Sequence, residues 1–345
     1  MRFLEDHKID STSKIGITNL LSNITTREGS HKGGWARLLK CQLKNMGLHN
    51  VEILDNQDKL SDFDVIIFDL GAEYSGALNM FGGLDEKVFN RLIQLQNFEG
   101  DLFSWKHELP DLTILSSRRS NASTCQAFKD SDVNFLHYVQ SNLKECKVFD
   151  HAYRTDRLLI GDSHTPSVWD VSYMIERRDG RTLEGMVRNE TVKRYVELFK
   201  ESGVEIKNIL VHCSSIDVRH HACRSAVPQT YILTLAQNLI TQLQALNIPF
   251  NIVETMGIED ESRELPKTGY YKGTPFAGSW ELRNGVRQAF NGSLNLWLNG
   301  NQIKFPEYFF DESGKLKFDV MEKPQSIHLS PEHYRTNLET GKLRW

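Results

Sequence analysis

Short apolar runs that end in a glycine or a polar residue recur along the whole chain and restrict its architecture more than any other feature. They lie at residues 14–20, 51–54, 65–70, 112–116, 158–161, 207–212 and 250–254. Segments with helical spacing lie between them, at residues 35–46, 87–95, 190–202 and 228–246. Runs this short are typical of strands, and strands that alternate with helices form parallel sheets. The sequence therefore predicts an α/β fold made of doubly wound, Rossmann-like or flavodoxin-like parallel sheets.

The length of the chain favours two such domains. It has 345 residues, which is long for one domain and sufficient for two. We predict a boundary near residues 148–157, with an N-terminal domain over residues 1–150 and a C-terminal domain over 151–345. The aromatic, glycine-rich stretch at residues 268–280 is either a substrate loop or an insertion packed on the second sheet.

Composition excludes several classes of protein. The net charge of −4 gives no overall basic field for nucleic acid, although a local basic patch stays possible. No apolar run approaches the ~20 residues of a membrane helix, and the N-terminus does not resemble a secretory signal. The five cysteines are scattered and form no CxxC pair, which is typical of reduced thiols. We expect a cytoplasmic protein without a membrane partner.

The stretch LLIGDSHTPSVW at residues 158–169 raises the first question of chemistry. A strand ends at a Gly-Asp turn, and Ser163 follows directly. The turn is either an ordinary loop or the support of a nucleophile at the carboxyl end of a strand. A serine hydroxyl needs a base within hydrogen-bond reach, and His328 in QSIHLSPEHY is the candidate because imidazole titrates near neutral pH. Backbone amides after Ser163, together with a nearby glycine, would stabilise an oxyanion.

Three blocks in the second half resemble the SGNH/GDSL hydrolase superfamily. LLIGDSHT is similar to the nucleophile block, RRDGRTLEGM to the glycine block and SIHLSPEHY to the final block, over about residues 157–335. The resemblance implies an SGNH-like fold for the C-terminal domain. It also implies that Ser163 is the nucleophile, that His328 is the base, and that the amides of Ser163 and Gly180 form the oxyanion hole.

Two positions depart from that family pattern. Gln325 stands where the family usually has an aspartate three residues before the histidine, and glutamine cannot stabilise imidazolium as a carboxylate does. The third block reads Ser-Ser-Ile-Asp at residues 214–217 instead of Gly-x-Asn-Asp, so the oxyanion asparagine is missing. A Ser-His dyad, a triad with a carboxylate from elsewhere, or a site that has lost hydrolysis are all open at this point.

Five further residues are predicted to bind substrate: Asp162, His164, Asp217, Arg219 and Gln325. Asp162 is more typical of a turn-stabilising carboxylate than of an acid catalyst, and His164 either packs or binds substrate. Asp217 with Arg219 is either a structural ion pair or a clamp on the substrate. The histidines and cysteines at residues 212–223 also suggest a metal. One strand end does not easily present all of them to a single ion, so we predict no metal. The glycines at residues 71–84 do not form GxGxxG, and we predict no cofactor.

The first half is similar to the amino-terminal domain of phage DNA β-glucosyltransferases over about residues 13–110. The similarity lies in KIGITNL, a helix ending in NMG, VEIL, DFDVIIFDL and NMFGG. It implies binding of DNA or a nucleotide sugar, and a location in the host cytoplasm. One hypothesis is therefore an SGNH-like esterase or O-deacylase for an ester on a carbohydrate or a modified nucleotide. The alternatives are a DNA-modifying glycosyl- or acyltransferase, whose SGNH-like half binds or transfers the group, and a non-catalytic interaction protein.

Overall fold

The chain forms two compact units, and each is built on one all-parallel sheet. The computed structural model describes residues 9–19, 34–54, 58–69, 94–95, 98–105, 147–149, 155–178, 180–201, 203–258, 273, 277–322 and 328–345. Unit 1 comprises residues 1–153 with 268–270, and unit 2 comprises the rest. The division at 153/154 lies inside the interval 148–157 that the sequence indicated. The predicted α/β architecture with parallel sheets is confirmed at this level.

Unit 1 carries a five-stranded sheet in the order β2-β1-β3-β4-β5. The strands are Ile15–Asn19 (β1), Val51–Ile53 (β2), Val65–Asp69 (β3), Asp101–Trp105 (β4) and Lys147–Phe149 (β5). Helix α1 (Gly34–Asn45) lies between β1 and β2 in the chain, as a parallel crossover requires. Leu39 and Leu43 of α1 are buried in one cluster with Ile15, Ile17 and Phe103 of the sheet.

Gly47 turns the chain out of helix α1. Its φ of +91° lies in the left-handed region, where glycine has no steric penalty. Its amide donates to the carbonyl of Lys44 at 3.0 Å. The chain then turns directly into β2.

Unit 2 carries a four-stranded sheet in the order β7-β6-β8-β9. Its strands are Arg157–Gly161 (β6), Met174–Arg177 (β7), Asn208–His212 (β8) and Phe250–Ile252 (β9). Its helices are Thr165–Val168 (α2), Leu183–Arg188 (α3), Thr191–Glu201 (α4), Pro228–Ala245 (α5) and Trp280–Trp297 (α6). A π-helical turn, Asp217–His221, follows β8. The central strands β6 and β8 are buried almost throughout, so their apolar runs were the clearest signals in the sequence.

Several elements escaped the sequence analysis. β7 and β5 are short and carry charged residues, and helix α3 spans less than two turns. Helix α6 has 18 residues, but glycines at 285 and 292 interrupt its pattern. The predicted strand at residues 112–116 and most of the predicted helix at 87–95 lie outside the described residues, as does most of the stretch at 268–280.

The carboxyl ends of β6 and β8 lie side by side because Gly161 pairs with His212 in the parallel register. A Cβ atom on residue 161 would lie 2.1 Å from the carbonyl oxygen of His212 and 2.5 Å from Thr165 Oγ1. Only glycine therefore permits this approach. The chain leaves β6 at this point and enters the Ser163 turn (residues 161–165).

Among the helices that the structure describes, none combines the length and the apolar character needed to cross a membrane.

We predict that Gly161→Ala lowers the free energy of unfolding of unit 2 by about 1–3 kcal/mol, the usual range for overpacking. The added methyl group meets backbone, which cannot rotate away as a flexible side chain does. Gly285→Ala is the matched control, because a Cβ there meets nothing within 4 Å in the middle of helix α6. It is expected to be neutral or to stabilise by up to about 1 kcal/mol. Urea unfolding compares the two; equal effects would contradict the close-approach argument.

Candidate functional site

The Ser163 turn is held by short backbone and side-chain hydrogen bonds. The amide of Asp162 donates to the carbonyl of His212 at 3.2 Å, which continues the β6–β8 pairing by one residue. Asp162 Oδ1 accepts from the amide of His164 at 2.9 Å, a typical Asx turn. Thr165 Oγ1 donates to the Asp162 carbonyl at 2.5 Å as helix α2 begins. Ser163 stays partly exposed at the top of this turn, while its neighbours on both sides are buried.

The structure brings Ser163 and His328 together although 165 residues separate them in the chain. His328 Nε2 lies 2.9 Å from Ser163 Oγ, within hydrogen-bond distance. The C-terminal segment that carries the histidine is fastened beside the turn. The amide of Arg335 donates to the carbonyl of Ser167 at 2.8 Å, and Thr336 Oγ1 donates to that of Trp169 at 2.5 Å. These bonds fix the C-terminal segment, which carries the imidazole, relative to the turn that carries the hydroxyl.

Glu322 lies on the opposite side of the His328 ring. Its Oε1 is 3.6 Å from His328 Nδ1, and the two side chains are only 7% and 12% exposed. Two extended segments create this pairing. Met321 and Leu329 form an antiparallel bridge, and the amide of Glu322 donates to the His328 carbonyl at 3.0 Å. Side chains that face each other across such a bridge are within contact distance.

Glu322 is the residue of this candidate site that was not predicted from the sequence. The family pattern directed attention to Gln325, three residues before the histidine, and Gln325 lies outside the described residues. Glu322 is six positions before His328 and is the nearest carboxylate that precedes it in the chain. Its closeness to His328 in the sequence was the feature from which it could have been predicted. The alternative of a carboxylate from a different position is the one that the geometry matches.

The glycine block is anchored on the strand that leads to Ser163. The carbonyl of Gly161 accepts from the amide of Arg178 at 3.0 Å and from Arg181 Nη1 at 3.1 Å. Gly180 lies between these two anchors, with a φ of +75° and nothing within 4 Å of a Cβ position. The segment that holds Gly180 is thus tied to the start of the Ser163 turn.

Asp217 acts as a cap for helix α3. Its side chain is fully buried, and its Oδ2 and Oδ1 accept from the amides of Leu183 and Glu184 at 2.5 and 3.2 Å. These amides have no partner within the helix, and a carboxylate there also complements the helix dipole. Asp217 therefore links the third block, after β8, to the helix that follows the glycine block.

Four of the predicted substrate contacts are closed off from solvent: Asp162, His164, Asp217 and Arg219 are at most 4% exposed. Asp162 shapes the turn, and Arg219 donates to the Oγ of Ser215, just before the π-helical turn, at 3.4 Å. These contacts give the side chains structural roles, and their contact with substrate stays a prediction. Polar residues clustered after strand ends here satisfy backbone groups at the starts of turns and helices, which a sequence pattern does not distinguish from ligand binding.

An aromatic row leads from the interior to Ser163 through Phe305, His212, His164 and His328. The ring of His164 stacks on that of His328, with centroids 4.6 Å apart and planes inclined by 29°. The rings of His212 and His164 form a T-shaped pair with centroids 6.1 Å apart, and the ring centroid of Phe305 lies 5.9 Å from that of His212. Burial lowers the pKa of His212 to about 3, although a hydrogen bond to the backbone of His164 opposes the shift. His212 is therefore a neutral ring at physiological pH.

Glu184, Asp217 and His221 bring three potential ligand atoms within 4.8 Å of one another. Each already has protein contacts. Asp217 caps helix α3, His221 Nδ1 lies 3.3 Å from Asp217 Oδ1, and Glu184 Oε2 accepts from Tyr231 OH at 3.1 Å. The cluster thus joins helices α3 and α5 to the π-helical turn.

Searches with this chain against protein-family models and against curated proteins find no match.

We predict that His212 makes the stability of unit 2 depend on pH. Because the pKa is lower in the folded protein than the ordinary 6.5, the unfolded chain binds more protons below pH ~6.5, and stability falls as the pH falls toward about 3. Between about pH 6.5 and pH 5 the loss amounts to roughly 2 kcal/mol. His212→Gln, which cannot titrate, is expected to remove that part of the loss.

Urea unfolding of wild type and variant near pH 7 and pH 5 measures the difference. His49→Gln, an exposed histidine in unit 1, is the control and should keep the wild-type pH dependence. An unchanged slope in His212→Gln would show that His212 is not the responsible group.

Proposed function

We propose that this protein is a serine esterase whose site lies in unit 2 and uses Ser163, His328 and Glu322. One observation carries the proposal: the ring of His328 lies between the Ser163 hydroxyl, 2.9 Å from Nε2, and the Glu322 carboxylate, 3.6 Å from Nδ1. A nucleophile, a base and a group that orients the base are the three parts of activated-serine catalysis. The resemblance of three sequence blocks to SGNH hydrolases assigns Ser163 and His328 the same roles.

In the first half-reaction, Ser163 Oγ attacks the acyl carbon of the ester as His328 Nε2 takes the hydroxyl proton. Glu322 stabilises the imidazolium that forms and fixes the ring orientation. Collapse of the tetrahedral intermediate breaks the bond to the alcohol oxygen, which leaves with the proton from Nε2. An acyl-Ser163 ester remains.

Water completes the cycle. His328 Nε2 removes a proton from a water molecule, whose oxygen attacks the acyl-enzyme carbon. The second tetrahedral intermediate expels Ser163 Oγ, which recovers its proton from Nε2, and the carboxylic acid is released.

The oxyanion of each intermediate requires hydrogen-bond donors that already point at it. We assign the amides of Ser163 and Gly180 to this role. The anchoring of residues 178 and 181 on the Gly161 carbonyl supports the assignment, because it keeps the Gly180 segment close to the start of the Ser163 turn. Ile216 occupies the position of the family's asparagine, so these two amides are the donors that the three blocks supply.

For the substrate we propose an ester on a carbohydrate or a modified nucleotide, and for the folds an SGNH-like unit 2 and a Rossmann-like unit 1. Strand orders β7-β6-β8-β9 and β2-β1-β3-β4-β5 support these folds, since both have the first strand inside the sheet. The similarity of residues 13–110 to DNA glucosyltransferases motivates the nucleotide option. It also motivates the alternative function, a transferase that passes the acyl group to an acceptor alcohol and uses water poorly.

We predict that a fluorophosphonate probe labels the wild-type protein at Ser163 and that Ser163→Ala abolishes both labelling and hydrolysis of p-nitrophenyl acetate. Loss of the nucleophile should reduce turnover by several orders of magnitude. Ser313→Ala, in an exposed turn of the same unit, is the control and should behave as wild type. Labelling without hydrolysis, with acyl transfer to an added sugar or nucleoside, would favour the transferase. A wild-type protein that is not labelled would contradict both enzymatic readings.

We predict that Glu322→Gln lowers kcat by about two to four orders of magnitude, because an amide orients the ring but does not stabilise its cation. Glu312→Gln, an exposed carboxylate of the same segment, should have no effect. Gln325→Asp should give no gain in rate, since Glu322 already supplies the carboxylate. Steady-state kinetics of the three variants decides; a gain in Gln325→Asp with no loss in Glu322→Gln would reverse the assignment.

A further inference from the structure

We propose that His164, the residue after the nucleophile, is a positioning residue that holds the ring of His328 in its productive orientation. The proposal rests on the function proposed above and adds a fourth residue to the site. Resemblance to the family assigns nothing to this position, and the sequence analysis predicted a contact with substrate. Its ring is only 4% exposed and stacks on His328 instead.

The geometry of the stack explains what it does. His328 has contacts at its two nitrogens, to Ser163 Oγ at 2.9 Å and to Glu322 Oε1 at 3.6 Å. Contacts at two edges leave the ring free to tilt about the line that joins them. A second aromatic ring whose centroid lies 4.6 Å away, inclined by 29°, opposes that tilt because it stacks on the face of His328. His164 thus contacts the face of the His328 ring, whereas Ser163 and Glu322 contact its edges.

His164 is itself fixed by the turn that presents Ser163. Its amide donates to Asp162 Oδ1 at 2.9 Å, and its carbonyl accepts from Ser167 Oγ at 2.6 Å and from the Ser167 amide at 3.0 Å. The rings of His164 and the neutral His212 pack in a T-shaped arrangement with centroids 6.1 Å apart. The backbone of residue 164 is thus fixed by the turn, and its ring packs on both sides. One turn therefore places the nucleophile and also the ring that aligns the base with it.

Three substitutions separate the stack from the other contributions of the side chain. His164→Phe keeps an aromatic face, His164→Leu fills a similar volume without one, and His164→Ala removes both. A misaligned base slows the chemical step but does not affect binding of the substrate. We therefore expect kcat to fall about 10- to 100-fold in the Leu and Ala variants, with KM almost unchanged. The Phe variant should restore kcat to within a few-fold of wild type.

A second readout does not depend on catalysis. In ¹⁵N NMR spectra, the ring of His328, identified by comparison with His328→Gln, should give one sharp set of signals in wild type and in His164→Phe. It should be broadened by exchange in His164→Leu and His164→Ala. Thermal unfolding establishes which variants are folded, and the Leu variant decides if the Ala variant is too unstable to isolate. His333→Ala, which removes a ring packed on Phe309, is the control for loss of an aromatic contact.

The outcomes distinguish the two proposals. Sharp His328 signals in His164→Leu, or a kcat within twofold of wild type, overturn the positioning role while fluorophosphonate labelling of Ser163 keeps the esterase. Broadened His328 signals in the Leu variant that sharpen in the Phe variant support the positioning role. If they occur in a protein that the probe does not label, the esterase is wrong and the stack stands as a structural feature of the ring alone. A Phe variant as impaired as the Leu variant also overturns the proposal, because the aromatic face would not be what matters.

Discussion

The arrangement of unit 2 depends on the absence of a side chain at residue 161. The carbonyl of His212 occupies the space in which a Cβ would lie, so β6 and β8 remain in register to their last residues. That same carbonyl accepts from Asp162 and thereby starts the Ser163 turn. The Gly161 carbonyl in turn accepts from Arg178 and Arg181. A single peptide thus fixes the end of β8, the turn that carries the serine and the segment that carries Gly180.

The other half of the site comes from the far end of the chain. His328 and Glu322 supply the imidazole and the carboxylate, and Arg335 and Thr336 fasten the C-terminal segment to the carbonyls of Ser167 and Trp169 at the end of helix α2. The entropy of closing so long a loop grows only slowly with its length, so the large separation in sequence adds little cost. What the site requires is an accurate placement of the imidazole and the carboxylate at the end of this loop. The bridge between Met321 and Leu329 provides it, because it fixes Glu322 and His328 relative to each other.

The sequence predicted the parts of this structure that depend on local pattern. Apolar runs located β1, β2, β3, β6, β8 and β9, and helical spacing located α1, α4 and α5. The order of the blocks also identified Ser163 and His328, which do lie together. Helix α6 and strand β7 were missed because packing, not their own pattern, stabilises them.

Glu322 was missed for a different reason. Its position beside the ring depends on the antiparallel bridge between Met321 and Leu329, and spacing along the chain does not reveal which carboxylate such a pairing presents. The burial of Asp162, Asp217 and Arg219 was equally hidden. Whether a polar residue after a strand faces a substrate or caps a helix is decided by elements that lie elsewhere in the sequence, as the amides of Leu183 and Glu184 decide it for Asp217.

The charges around the base follow from the depth at which each group lies. In the proposed mechanism His328 alternates between imidazole and imidazolium, and the only described carboxylate paired with its ring is Glu322. A second positive charge in the aromatic row would oppose that change, since like charges a few ångströms apart in a poorly hydrated site repel strongly. Burial prevents this at His212, because its low pKa keeps the ring neutral. The same burial means that His212 lowers the stability of unit 2 in acid. The absence of charge on His212 and the loss of stability in acid therefore have one cause, the burial of its ring.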